Sequence, residues 1–298
     1  MGIRLGDNQY GKAEVRLVHV ARDTAVHRIK DVSVTSQLRG DLEAVHTAGD
    51  NSHCLATDTQ KNTVYAFAKE NGGIGAIEDF ALLLARHFVG AHDYIHGARQ
   101  EIHEYAWERI ATSDGPHDHS FVRSGAETRT TVVTKDGDRE WVVSGLEGLT
   151  VLKSTGSEFH GYPKTAYTTL PETADRILAT DVKARWRYIG TGADWDASYA
   201  AVKALMLEAF ATTHSLALQQ TLYRMGTAVL EARPEIAEIR FSMPNKHHFL
   251  VDLSPFGLDN PNEVFFAADR PYGKIEAAVE RDDAPPAGRA WESVPGFV

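Results

Sequence analysis

The feature that most limits how this chain can fold is the order in which its hydrophobic period changes. Ala13, Val15 and Leu17 alternate with Glu14, Arg16 and Val18, and a second β-like segment, VHRIKDVSVTSQLRG, follows at 26–40. The period then turns helical. TDTQKNTVYAFAKE (57–70) opens on Thr57 and Asp58, residues suited to a helix N-terminus, and stops at Gly72-Gly73. IEDFALLLARHFV (77–89) reads as a second helix with Phe80, Leu83, Leu84, His87 and Phe88 on one side. Strand character returns at 102–110 and in TTVVTKDGDREWVVSGL (130–146), where Asp136-Gly137 offers the positive φ of a tight hairpin.

The second half repeats this grammar. WRYIGTGADW (186–195) reads as a strand end and turn. Trp195, Tyr199, Val202, Leu205, Met206, Ala209 and Phe210 then follow helical spacing. Ser215 is placed to cap another helix carrying Leu218, Leu222, Met225 and Val229 until Pro234 ends it, and IRFSMP and HHFLVDL return to strand. Strands, two helices and strands in each half predict an α+β protein with mostly antiparallel sheets, each covered by helices on one face. The stretches near 113–119 and 155–165 read as loops, and 280–289 as a mobile tail without a role.

Composition excludes several classes of function. The formal charge is −10 and neither sign forms a long block, which argues against nucleic-acid binding. Cys54 is the only cysteine, so no intrachain disulfide and no thiolate zinc cluster can form. No signal peptide, membrane span or C-terminal Ser-Lys-Leu is read, and a cytoplasmic location is expected. No Gly-rich phosphate loop or G-x-S-x-G elbow appears.

The histidines keep a metal in view through His117-Asp118-His119 and His247-His248. Neither tract has the i, i+4 spacing of helical metal ligands, and adjacent histidines on a strand face opposite ways. Taken singly, the other candidates have ordinary explanations. Lys12 reads as a surface lysine, Thr57 or Asp58 as a helix cap, and Phe159 as a loop aromatic tucked into the core. Arg176 reads as a helix-surface residue paired with an acid, and Gln219 as a solvated helix position.

Six stretches acquire meaning together. YGKAEVR (10–16), TDTQKNT (57–63), GLTVLKSTGSEFHGYP (148–163), DRILATD (175–181), ALQQTLY (217–223) and MPNKHHF (243–249) are spread over nearly the whole chain, in order. In sequence and order they resemble the urate oxidase (uricase) family. The resemblance implies the tunnelling fold, with tandem half-domains at 8–144 and 145–298 and a barrel completed by oligomerisation. It also implies a homotetramer with active sites at subunit interfaces. The reaction it implies is oxidation of urate by O2 and water to 5-hydroxyisourate and hydrogen peroxide, with no cofactor and no metal.

Carried over residue by residue, Lys12 and Thr57 match the family's proton-abstracting pair, and His247 the histidine joined to them. Phe159 matches the aromatic stacked on the purine, and Arg176 with Gln219 the clamp on its pyrimidine edge. Asn245 matches the asparagine holding O2 or the attacking water. Asp58 and the backbone at Leu218 add contacts, Leu218 standing where Val is common. On this reading His247 faces the substrate with Asn245, and His248 faces away. Two other readings stay open: a zinc-dependent purine or pterin hydrolase of the same fold, and a purine-binding protein without chemistry.

Overall fold

The computed structural model describes residues 2–294, which divide into two compact units. The first comprises the chain up to Gly145 together with Arg187–Asp196 and Pro285–Val294; the second comprises Leu146–Trp186 and Ala197–Ala284.

In the first unit the chain runs β1 (Tyr10–Ala21), β2 (Arg28–Gly40), α1 (Glu43–Thr47), α2 (Thr57–Glu70), α3 (Ile77–Ala91) and β3 (Ile95–Tyr105). It continues through β4 (Trp107–Thr112), β5 (Gly115–Arg123), β6 (Thr128–Asp136) and into β7 (Arg139–Lys153). The strand order is β1-β2-β3-β6-β7, antiparallel from β1 to β6, with β4 and β5 forming a separate two-stranded ribbon. Helices α2 and α3 cover one face, α2 over β1 and β2, α3 over β3 and β6. Val34, Leu38, Val64, Ile77, Leu84 and Ile102 between them are fully buried. Gly137 supplies the expected positive φ at the β6–β7 turn.

β1 is irregular where its sequence is distinctive. Its pairing with β2 shifts register between Lys12 and Val15, and Glu14 adopts φ 54° there, its N–H donating to Thr35 Oγ1 at 3.0 Å. Such a bulge re-aims the neighbouring side chains. Gly11 is required just before it, because a Cβ would lie 1.8 Å from the Ser36 carbonyl oxygen.

The second unit takes the remainder of β7, then β8 (Leu178–Tyr188, to Trp186), α4 (Trp195–Thr212, from Ala197), α5 (Leu218–Ala232) and β9 (Ile236–Lys246). It ends with the short β10 (His248–Leu250) and β11 (Phe265–Ala267), and β12 (Gly273–Glu280). Strand order is β7-β8-β9-β12, with α5 packed on β9 and β12. Its core is built from Leu178, Val182, Trp186, Val202, Met206, Val229 and Phe241, all fully buried. Among the described residues, no helix is long and apolar enough to cross a membrane.

Three expectations are corrected. His117, Asp118 and His119 lie on β5, paired with β4, rather than in a loop. Ser215 does not cap α5: its N-cap is Ala217 with no side-chain bond, and the buried Ser215 hydroxyl instead meets Thr221 Oγ1 at 2.6 Å. The segment 285–294 is a docked strap. Ala290 is buried with Val132 and Val143, Arg39 pairs with Glu292 at 2.9 Å, and Arg99 donates to the Ser293 carbonyl at 2.8 Å. Its Ala and Trp residues provide the apolar contacts that a run of Pro, Asp and Gly conceals.

The face of the first unit away from the helices carries charge. There Glu101 is only 25% exposed and accepts from Arg99 and His103 at 3.1 and 3.2 Å. Burial raises its carboxyl, but the His103 bond and the Arg99 charge outweigh that and leave it at about 2. A carboxyl lowered by folding stabilises fully above its unfolded value and loses that contribution as pH falls through the folded one. Glu101→Gln should therefore lower stability at neutral pH, by up to about 3 kcal/mol from 1.36 kcal/mol per unit. It should also flatten the decline in stability between pH 4.5 and 2, read by denaturant unfolding across that window.

Candidate functional site

The expected site residues fall into two groups, one in each compact unit. Lys12, half-buried on β1, stands beside the bulge, and Thr57 and Asp58 are the first two residues of α2. Neither caps the helix. Its N-cap is Ala56, with no side-chain hydrogen bond, so the Thr57 hydroxyl is not consumed in holding the backbone. The exposed Asp58 carboxyl is held below its ordinary value by its hydrogen bond and ion pair with Lys61, then by Asn62 and the charge of Lys12.

In the second unit, a cavity of about 340 Å³ is lined by Phe159, Arg176, Asn245, His247, His248 and Phe265, among others. Backbone bonds bring these distant segments together. The Phe159 N–H donates to the Thr173 carbonyl at 2.9 Å and the Arg176 N–H to that of Ser157 at 2.8 Å. The Ser215 and Glu158 backbones are likewise linked, at 2.8 Å, which tethers the start of α5 to the Phe159 loop. Leu218, buried, and Gln219, exposed, begin that helix behind an uncapped N-terminus. They are not among the residues lining the cavity.

Arg176 departs most from its ordinary explanation. It is on no helix, and among the described residues it pairs with no acid. Its guanidinium lies 5.1 Å from the Phe159 ring centroid, with Nε 3.4 Å from Ser157 Oγ. Burial lowers its affinity for its proton, but a guanidinium stays charged in proteins. A half-buried guanidinium offers a planar fork of donors beside an aromatic face.

His247 and His248 are not successive residues of one strand. β9 ends at Lys246 and β10 starts at His248, so the alternation breaks at His247, and both residues are among those lining the cavity. A strand interruption of one residue has no sequence signal here, which is why periodicity missed His248. His247 is held below the usual imidazole value by burial first, then by the charge of Arg176 and by His248. It therefore presents a neutral ring at neutral pH, able to accept a proton. Tyr162, stacked on Phe159 at 4.8 Å, is a further partner that sequence reasoning passed over.

Among the described residues, no three or more His, Cys, Asp or Glu side chains are grouped to hold a metal ion.

Comparison with known proteins identifies the family. The sequence model of the uricase family matches residues 8–134 and 142–276. The chain belongs to the uricase family. It is 60% identical to the uricase of Arthrobacter globiformis over 98% of this chain and 95% of that one. It is 41% identical to the Schizosaccharomyces pombe uricase, over 91% and 96%. The crystal structure of the Arthrobacter globiformis uricase superimposes with a TM-score of 0.94 at 60% identity, covering 98% of this chain and 99% of that one. The urate oxidase of Bacillus sp. TB-90 shares the fold at a TM-score of 0.81 and 23% identity, over 92% and 100%. The architecture is thus the uricase tunnelling fold of the α+β class, and oxidation of urate is the activity of the family.

The link between Arg176 and His247 can be checked without a substrate. In Arg176→Gln, the His247 ring protons followed by NMR should titrate at higher pH than in the wild type. They should stay below the ordinary histidine value, because burial, the larger cause, remains.

Proposed function

We propose that this uricase-family chain oxidises urate with O2 and water to 5-hydroxyisourate and hydrogen peroxide, using no cofactor. The observation that carries this reading is the acid-free Arg176 beside Phe159, in a cavity that also holds a neutral His247. Urate is a flat anion rimmed with carbonyl and N–H groups. The Arg176 fork and the Gln219 amide grip its pyrimidine edge in one register, while Phe159 stacks on its face. The Leu218 N–H and Asp58 add rim contacts. A charge-assisted hydrogen bond contributes about 1.5–3 kcal/mol and a stacked ring about 1–3 kcal/mol, enough to orient a small ligand.

Proton removal is the other half of the chemistry. A lysine acts as a base when its amine is neutral, and Thr57, donor and acceptor at once, passes the substrate proton toward Lys12. His247 extends this relay. The electron-rich urate dianion gives two electrons to O2, which leaves as hydrogen peroxide. Water, positioned by Asn245, supplies the hydroxyl that the purine gains, so one urate, one O2 and one water become one of each product.

The partition of these residues between two compact units supports a homotetramer. In it, Lys12, Thr57 and Asp58 of one chain meet Phe159, Arg176, Leu218, Gln219, Asn245 and His247 of another. Half-domains at 8–144 and 145–298, closed into a barrel by association, fit the same reading, as does a cytoplasmic setting.

The test is urate loss measured with O2 uptake and peroxide release on chelator-treated protein. Matched consumption of urate and O2 with peroxide release is expected. Activity that returns only with added zinc would assign the reaction to a metal instead. Lys12→Met should lower kcat by about 10²–10⁴-fold, whereas Phe159→Ala should act mainly on KM, by about tenfold or more.

A further inference from the structure

We propose that Gln60 is a positioning residue of the proton-transfer half-site, acting through Ser36 and Gln100 to fix where Lys12 and Thr57 stand. The proposal rests on the roles given above to Lys12 and Thr57. Ser36, Gln60 and Gln100 are all polar and all fully buried. Gln100 Nε2 donates to Ser36 Oγ at 3.0 Å, the Ser36 hydroxyl donates to Gln60 Oε1 at 3.3 Å, and Gln60 Nε2 donates to the Leu55 carbonyl at 3.4 Å.

This chain of bonds, from Gln100 to the Leu55 carbonyl, runs beside both members of the proton-transfer pair. Ser36 is the direct cross-strand partner of Lys12, so the two side chains share a face of the sheet. Gln60 lies one turn into α2 from Thr57, on the helix that covers this part of the sheet. The Leu55 carbonyl, two residues before Thr57, also accepts from the Tyr10 hydroxyl at 3.0 Å, and Tyr10 is two residues before Lys12. The loop that delivers Thr57 is thereby held by the strand that delivers Lys12 and by the buried amide.

The energetics favour direction over stability. Burying an amide costs about 1–3 kcal/mol unless its bonds are made, and two of these three bonds are long. The Gln100 amide oxygen is buried with no hydrogen-bond partner among the described residues. Apolar side chains of similar shape would fill the space at no such cost. What they could not do is set the helix start relative to Lys12, and a displacement of about 1 Å in such a pair can cost about a hundredfold in rate.

The experiment compares wild type, Gln60→Met, Ser36→Ala and Ser36→Thr as full-length proteins, measuring kcat and KM for urate, the pH profile of kcat, and melting temperature. Positioning predicts that Gln60→Met and Ser36→Ala lower kcat by about ten- to a hundredfold. KM should change by less than about threefold, because the groups assigned to binding lie mainly in the other unit. The pH profile should shift, and Ser36→Thr, which keeps the hydroxyl, should recover most of the kcat lost in Ser36→Ala. A Gln60→Met protein with wild-type kcat, whatever its melting temperature, overturns the proposal. If Gln60→Met fails to fold, equal kcat in Ser36→Ala and wild type overturns it instead. A wild type that takes up no O2 with urate overturns the reading of the reaction, and this role falls with it.

Discussion

The first unit depends on a carboxylate that has no water. Glu78, at the start of α3, is fully buried, and burial pushes its carboxyl up against the pull of Arg129 and Ser144. Ser144 donates to one oxygen at 2.6 Å and Arg129 to the other at 2.8 Å, so β7 and β6 are both fastened to the same helix turn. Arg129 also reaches Asp196 at 2.5 Å, and Trp195 donates to Asp79 at 2.6 Å, which adds the 187–196 segment to the same knot. A buried ion pair of this kind is a poor source of net stability, yet removing one partner is costly. It fastens the start of α3 to β6 and β7 at one point of the sheet.

The second unit treats its cation in the opposite way. Arg176 is half-buried by backbone tethers that were formed for other reasons, and it is left without an acid. Its guanidinium contacts the Phe159 ring and Ser157 Oγ instead. Phe159 and Arg176 are held by short main-chain bonds at 2.8–2.9 Å, so their places are set by backbone. Gln219 contrasts with them: it is exposed on a helix start without a side-chain cap, which the Ser215 backbone and hydroxyl tie to the Phe159 loop and to Thr221.

Much of the fold was legible because it depends on local period. The strand and helix segments at 26–40, 57–70 and 77–89 correspond closely to β2, α2 and α3, and Asp136-Gly137 marks its hairpin turn. What failed were features set by contacts far along the chain. The tail at 280–289 read as mobile because its apolar residues are few, yet the segment 285–294 is docked, with Ala290 completing a cluster begun at Val132 and Val143. Ser215 looked like a cap because the residue type fits, but Thr221 and Lys153 compete for its hydroxyl.

The sequence alone determined the period of the main helices and strands and, through six dispersed stretches, the family. Tertiary structure decided which of the candidate residues share a space. Among the described residues no acid pairs with Arg176, His248 lines the same cavity as His247 because the strand is interrupted at His247, and Ala56 rather than Thr57 holds the cap position of α2. Periodicity specifies which face a side chain takes relative to its own element. Partnership is set by which other elements pack against that face, and those lie tens of residues away in the chain.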